Sequence, residues 1–569
     1  MDTLWRWRAA LGLLLVGMIN TEIQIGLWYP LQGIDAYPTT ATVDEIGHLI
    51  GAVAALAEGV DWSRPLHLSG VLYPEGSSLL LTDSLPWFSL PMRIAWDAGV
   101  RFDPAVLFSL PLWVATMVIP ASVYRLARVM GAGVGGGVIA AVGGTLLIGA
   151  IEPTLMHWRG MACWWMIPLL IAELMIIERE AGRVLRRRWS IVAALTGILW
   201  WSSIYLGAMA TALVLSVILS LAARRSLPLR PVDAARSWGI ALAASVVAPL
   251  SLIALGGIPP GYSAQSIGGL LLSLGPGIFT QLSGLDPSLV TNEWTYLQAW
   301  GPMALALAVW AIAASYRRAP GVIGASVVMA LYSTGPMAGG GVVPDVLMTD
   351  TPIGIFQASW RLFLPAAIIG MAAAGARIDP YDRARRALRV SRRSTRSLIA
   401  PRALTAVLVG LVITAGWSAV AARSDDHKVL EPPYPASIAS AERELLVDHQ
   451  VLYTIPYWSC DRPSTGDAGP SEQDVLRMVP FRGLSNRLAL VAAGAAVPFS
   501  SGYFPRLPAR SCDQSPPPAA LLFIHEAWPT PTGYFCAGAD IPIYAAAGAR
   551  ICSERRSLLE RFSDSAAQD

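Results

Sequence analysis

The sequence predicts a polytopic α-helical membrane protein that ends in a small α/β domain, and three observations lead there. Of 569 residues, 54% are hydrophobic and only 14% charged, against about 25% charged in an ordinary soluble chain. Apolar runs of near-spanning length recur along the first three-quarters of the chain, separated by arginine clusters. The last stretch, 422–569, is richer in Pro, Gly and polar residues, and its apolar runs are short. A soluble enzyme, a nucleic-acid binder and a fibrous protein are all excluded by this composition.

Taken in order, Arg6 and Arg8 precede an apolar run from about Ala9 to Tyr29, which reads as a retained first helix because no small-residue cleavage site closes a short core. Further spans are expected at about 104–124, 134–152, 161–178, 190–204, 206–222, 238–257, 300–316, 320–336, 361–376 and 403–421, giving about eleven helices. Arginines fall on alternate connections: Arg125 and Arg128, Arg183 to Arg188, Arg224 to Arg236, Arg317 and Arg318, and the dense run from Arg377 to Arg402. The positive-inside rule makes that side cytoplasmic, with the N-terminus inside and the C-terminal domain outside. A chain of this kind belongs in a bacterial inner membrane, with residues 1–421 as its membrane domain and 422–569 as a periplasmic or otherwise extracytoplasmic α/β domain. The net charge of +3 carries less information than this asymmetry. All but one of the Lys and Arg residues are arginine, Lys428 being the exception.

The outer connections are the long ones. Residues 30–103 form a first outer loop with an amphipathic stretch at about 44–57 and a semi-apolar piece at about 79–96, both expected to lie along the membrane surface. Long connections also run at about 257–299 and 336–360, and long loops in a compact architecture are usually functional. In the C-terminal domain, 451–456, 520–525 and 541–545 read as strands and 553–562 as a charged helix. Cys460, Cys512, Cys536 and Cys552 all lie there, apart from Cys163 in an apolar span. Four cysteines in one domain facing an oxidising compartment imply two disulfides, with three connectivities open.

Chemistry concentrates in the first outer loop, which holds Asp35, Asp44, His48, His67, Glu75 and Asp83 among others. Asp44 and His48 are four apart, so a helix puts them on one face as a general base and its partner, or as ligands of a divalent cation such as Mg or Mn; a solvated amphipathic face is the plainer reading of the same spacing. Glu152, His157 and Arg159 form a second cluster, where Arg and His suit a lipid-linked phosphate and a boundary salt bridge is the alternative. Arg361 beside Trp360 is a further phosphate candidate or an interfacial anchor. Glu22 is a carboxylate inside the first span. Trp200, Trp201, Trp294, Trp300 and Trp360 stand at expected outer boundaries, as an aromatic belt or as sugar-stacking surfaces. No Walker loop, dinucleotide fingerprint, zinc-protease helix or nucleophile elbow occurs in a suitable context, so coupling to ATP within the chain is not expected.

This organisation resembles the GT-C superfamily of integral membrane glycosyltransferases. In particular it resembles bacterial members in which an Asp-x-x-x-His pattern, here Asp44 and His48, precedes a Tyr-Pro-x-Gly element, here Tyr73-Pro74-Glu75-Gly76, followed by Asp83-Ser84-Leu85-Pro86. The stretch 152–169 with His157, and Phe499 to Pro505 in the outer domain, carry the same resemblance. It implies transfer of a sugar from a polyprenyl-phosphate donor to a glycan, lipid or protein acceptor on the non-cytoplasmic face, by inverting displacement. Asp44 is then the first choice for the general base, or for the metal-binding carboxylate of metal-dependent members, and Asp35 the second, while Glu152, His157, Arg159, Asp83, Tyr73 and Arg361 shape donor and acceptor sites. With one lysine in the chain, the phosphate clamp has to be Arg or His, unlike members that use lysine. Two other functions fit the composition: a glycan or lipid transporter or flippase, and a non-catalytic scaffold for envelope assembly. The first calls for midplane polar groups and paired halves, which the sequence does not display.

Overall fold

The computed structural model describes residues 2–24, 59–68, 77–80, 85–100, 102, 104–151, 159–180, 186–224, 231–256, 309, 319–332, 362, 364–379, 405–407, 409–411, 413–414, 451–455, 520–525, 530–537 and 549–566. The chain divides into two compact units. One takes Met1–Trp28, Leu110–Ser251 and Ile267–Asp426; the other takes Tyr29–Ser109, Leu252–Ser266 and His427–Asp569.

The first unit is helical. Its described helices are α1 (Asp2–Gln24), α3 (Pro104–Met130), α4 (Val134–Ile151), α5 (Met166–Arg179), α6 (Arg186–Trp200), α7 (Ile204–Ala223), α8 (Pro231–Ala254), α9 (Pro320–Tyr332) and α10 (Leu364–Ile378). Between them the helix α2 (Pro86–Asp97) belongs to the second unit. Among the described residues, two stretches, Leu110–Met130 and Ile204–Ala223, are long and apolar enough to cross a membrane, and several shorter apolar helices accompany them.

Expected and observed boundaries differ where local chemistry intervenes. The span expected from residue 161 opens as a 3₁₀ turn, Arg159–Trp165, before α5. The spans expected from residues 190 and 238 start earlier, at Arg186 and Pro231, because helices run on past the hydrophobic edge into their arginine-rich flanks. The spans expected at about 300–316 and 403–421 fall largely outside the described residues.

Small residues set the packing. The helices α4 and α10 meet along Gly136, Ala140 and Gly143 on one side and Met371 and Gly375 on the other, so closely that a Cβ at Gly136 or Gly375 would overlap the other's carbonyl. Small side chains at these positions let the two backbones approach closely. The same device brings α1 against α3: a Cβ at Gly17 would lie 2.5 Å from the Met117 carbonyl. Nearby, Asn20 Nδ2 donates to the Thr116 carbonyl and the Thr21 and Thr116 hydroxyls share a 2.8 Å bond. Glu22, on the same helix, is exposed.

The C-terminal part of the second unit holds a four-stranded mixed sheet of β3 (Val451–Ile455), β4 (Ala520–His525), β5 (Phe535–Ala537) and β6 (Ala549–Ser553), in the order β3-β4-β6-β5. The pair β3–β4 is parallel, and β6 runs antiparallel to both β4 and β5. Leu522, Ile524 and Ile551 are fully buried, and Leu558, Leu559 and Phe562 of the closing helix α11 (Arg556–Ala566) are buried too. Two expected elements move. The helix starts at Arg556 rather than Ser553, because Ser553 ends β6 and its hydroxyl accepts from the Arg555 amide. The strand expected at 541–545 lies outside the described residues, whereas Phe535–Ala537 and Ala549–Ser553, too short and interrupted to show alternation, form β5 and β6. Cys536 and Cys552 face each other in the β5–β6 register and are joined as a disulfide; Cys460 and Cys512 lie outside the described residues. Cys163 is a buried free thiol.

Candidate functional site

The described part of residues 30–103 is a small framework that flanks, in sequence, the motif residues. Residues 59–68 form a turn that closes into β1 (His67–Leu68), which pairs antiparallel with β2 (Ser77–Ser78). The eight residues connecting them, 69–76, carry Tyr73-Pro74-Glu75-Gly76. The register His67↔Ser78 and Leu68↔Ser77 fixes where that connection leaves and returns. Leu66, Leu68 and Leu79 are wholly buried.

Asp61 shapes the turn. Its Oδ1 accepts from the Ser63 amide at 2.9 Å and the Ser63 hydroxyl at 2.7 Å, and the Arg64 amide bonds to its carbonyl. These bonds favour the charged carboxylate, the Ser63 hydroxyl most of all, and hold its pKa below the usual value. Trp62, beside it, is exposed.

Helix α2 locks the framework. Pro86 at its first position suits the fixed φ of proline and the absent N–H, and Gly99, with φ at +93°, closes its other end in the left-handed conformation. Its inward face holds Pro86, Ser89 and Arg93. Arg93 is 1% exposed and its guanidinium donates to three backbone carbonyls drawn from separate points of the loop: Gly59, Pro65 at 3.1 Å and His67 at 3.3 Å. Asp97, one turn on, accepts from the Val60 amide at 2.6 Å. The stretch expected to lie as one semi-apolar piece from Leu79 to Trp96 is therefore divided: Leu79 and Leu80 are buried in a turn, and the helix that follows turns a charged residue inward.

Leu85 is the one strained position among the described residues. It has φ at +48°, precedes a proline and is wholly buried, while its carbonyl accepts from the Phe88 and Ser89 amides. A bulky residue in this conformation costs of order 1–3 kcal/mol and persists only where surrounding structure determines it. Two residues earlier in the chain stands Asp83.

The expected site residues distribute as follows. Asp35, Asp44, His48, Tyr73, Asp83, Glu152, His157 and Arg361 lie outside the described residues, and Arg159 opens the 3₁₀ turn before α5. Asp44 and His48, the pair a divalent cation would use, are thus among those outside. Among the described residues there is no group of three or more His, Cys, Asp or Glu arranged to hold a metal ion. Trp200 and Trp201 are not simple belt residues: their indole N–H groups donate to Thr211 Oγ1 at 3.0 Å and Ser251 Oγ at 3.1 Å on α7 and α8.

Sequence reasoning missed two features. Arg93 gave no signal, because a single Arg in a semi-apolar stretch reads as solvated. Glu173 and Glu178 did give one: two carboxylates inside an apolar span call for partners. Glu173 accepts from Arg125 and Arg188. Glu178, fully buried, accepts from the Gly321 amide at 2.7 Å, the Val322 amide at 3.3 Å and the Ser220 hydroxyl at 2.5 Å, with Arg224 at 3.7 Å. It thereby caps the first turn of α9, where an anion is favoured. Asp379 does the same for α4, accepting from the Gly136 amide at 3.1 Å.

No family model and no curated protein matches this chain. Among solved structures, the archaeal oligosaccharyltransferase AglB from Archaeoglobus fulgidus, in complex with an inhibitory peptide and a dolichol-phosphate, aligns at a TM-score of 0.45 and 11% identity, covering 87% of this chain and 64% of that one. The chain thus spans less than two thirds of that protein's length.

Proposed function

We propose that this chain is a membrane glycosyltransferase that moves a sugar from a polyprenyl-phosphate-linked donor to a glycan, lipid or protein acceptor at its non-cytoplasmic face. The observation that supports this reading best is the rigid framework of the first outer loop. A surface loop with no chemistry to perform has no need of a buried guanidinium gathering three carbonyls, nor of a left-handed leucine two residues beyond an aspartate. Both features bracket the segments, 69–76 and 81–84, whose residues carry the GT-C resemblance.

On this reading Asp44 accepts the proton of the acceptor hydroxyl as its oxygen bonds to the anomeric carbon, and the carbon–oxygen bond to the phosphate breaks. The polyprenyl phosphate leaves with that electron pair, and the anomeric configuration inverts. His48 orients Asp44 or shares its site, with Asp35 as the alternative base. Arg159, His157 and Arg361 are the cations available to the donor phosphate, where bidentate guanidinium contacts suit the developing charge, while Glu152, Asp83 and Tyr73 line the sugar and acceptor.

The experiment is Asp44→Asn in the full chain, with transfer from a labelled polyprenyl-phosphate sugar followed in membranes. Loss of transfer at unchanged expression supports the assignment, and full transfer removes Asp44 from the mechanism. Removing residues 425–569 separates this reading from a scaffold, which would lose its binding module and never have transferred sugar.

A further inference from the structure

At one end of the helical unit, α3, α5 and α6 are joined through a single carboxylate. Arg188 Nη1 donates to Glu173 Oε2 at 2.7 Å, and Arg125 Nη2 donates to Glu173 Oε1. Glu173 is 3% exposed, while the side chains of Arg125 and Arg188 are 49% and 32% exposed. A buried acid therefore holds two guanidiniums beside one another at the surface.

The charges do not cancel, since two cations share one anion. Each guanidinium has five N–H donors and, among the described residues, Glu173 is the only polar partner of either one. Two forks fixed close together with donors to spare match the oxygens of a phosphate monoester or diester, and one such anion would neutralise the excess. Two further acids of this end are engaged elsewhere, Glu178 by Ser220 and the α9 amides and Asp379 by the Gly136 amide.

What surrounds the clamp decides what carries the phosphate. From Arg188 the exposed face of α6 continues through Ile191, Ala194 and Ile198, with Ile191 38% and Ile198 36% exposed. On α3 the exposed neighbour one turn before Arg125 is Ala121. An apolar strip leading directly away from a paired-guanidinium site fits an amphiphile, with its headgroup phosphate between the arginines and its chains along the strip. A free anion would use the arginines and leave the strip bare.

We infer that Arg125 and Arg188, braced on Glu173, form a headgroup clamp for one anionic phospholipid of the bilayer, with its acyl chains on the Ile191–Ile198 face. The clamp is separate from the first outer loop and does not rest on the sugar-transfer reading.

The test uses the full chain in nanodiscs of mixed phosphatidylcholine and phosphatidylglycerol, with retained lipid counted by native mass spectrometry. Phosphatidylglycerol is expected to stay bound preferentially, and the neutral triple variant Arg125→Gln, Glu173→Gln, Arg188→Gln to lose that preference roughly tenfold. Equal preference in the triple variant overturns the clamp. Inorganic phosphate titrated into the mixed discs distinguishes the source: retained phosphatidylglycerol is expected to stay bound, and if phosphate displaces it, the site takes a free anion and the lipid assignment falls. Should the triple variant fail to assemble, photoactivatable lipids on the unmodified chain decide. The phosphatidylglycerol probe is expected to label the 186–200 peptide several-fold more than the phosphatidylcholine probe, and equal labelling contradicts the proposal.

Discussion

In the first-loop framework a buried cation is surrounded by backbone carbonyls, whereas at the arginine end of the helical unit buried anions are surrounded by guanidiniums, a hydroxyl and amides. Arg93 draws its partners from Gly59, Pro65 and His67, so one side chain fixes backbone that has little regular structure of its own. Glu173 and Glu178 draw theirs from the ends of different helices, and so fix elements that are already regular. Burying a charge is costly unless it is fully hydrogen-bonded. Among the described residues that cost falls where a loop holds a shape, at Arg93, and where helix ends meet, at Glu173 and Glu178.

The comparison breaks most visibly at Arg93. Substituting Met keeps the bulk and frees three carbonyls, which is expected to cost about 3–5 kcal/mol of local stability. Limited proteolysis should then cut within residues 59–100, with helices of the other unit unaffected. Glu178→Leu should cost about 3 kcal/mol, since the Gly321 amide and Ser220 hydroxyl lose their acceptor. Its signature differs, as thermal unfolding of the helical unit shifts while the 59–100 proteolysis pattern stays unchanged. If both variants gave the same pattern, the two devices would not be separate.

The disulfide is a third constraint, on the sheet. Cys536 and Cys552 are 16 residues apart, and losing the link by Cys536→Ser is expected to cost about 3 kcal/mol through the freed unfolded chain. Mass spectrometry of non-reduced peptides should show this pair joined, leaving Cys460 with Cys512.

The smallest effects are in pH. The folded state holds the Asp61 pKa below its ordinary 3.8, so its contribution is present above that value and is lost as pH falls through the lower folded one. Hydrogen exchange at the Ser63 and Arg64 amides should therefore quicken only on strong acidification, and Asp61→Asn should abolish that dependence. Tyr534 behaves in the opposite sense. Burial, with help from Glu554, pushes its phenol up to about 12, so that contribution is intact below the ordinary 10.0 and lost as pH rises toward 12. Tyr534→Phe should remove this alkaline weakening of the C-terminal sheet.

How much of this was legible in the sequence depends on whether the signal is periodic. Helices α3 to α10 follow from apolar runs and flanking arginines, and β4 from its unbroken Ala520–His525 run. The strands β5 and β6 escaped because runs of three and five residues, each interrupted by a Cys and the second by an Arg as well, carry too little alternation. Arg93 escaped because its partners are carbonyls, which no side-chain pattern reveals. Glu173 and Glu178 were legible in principle, as acids inside an apolar span. For the candidate site, Asp44, His48 and the other acids of the loop are a reading of the sequence pattern, and the structure adds the framework that flanks Tyr73 and Asp83 in the chain.

The proposal turns on residues 30–103 carrying the chemistry, with Asp44 as the general base. Its most direct test is sugar transfer in membranes bearing the full chain with Asp44→Asn, from a labelled polyprenyl-phosphate donor, beside the unmodified chain and Arg93→Met. The account predicts that Asp44→Asn abolishes transfer while the 59–100 proteolysis pattern remains that of the unmodified chain. Transfer at the unmodified rate in Asp44→Asn would contradict it.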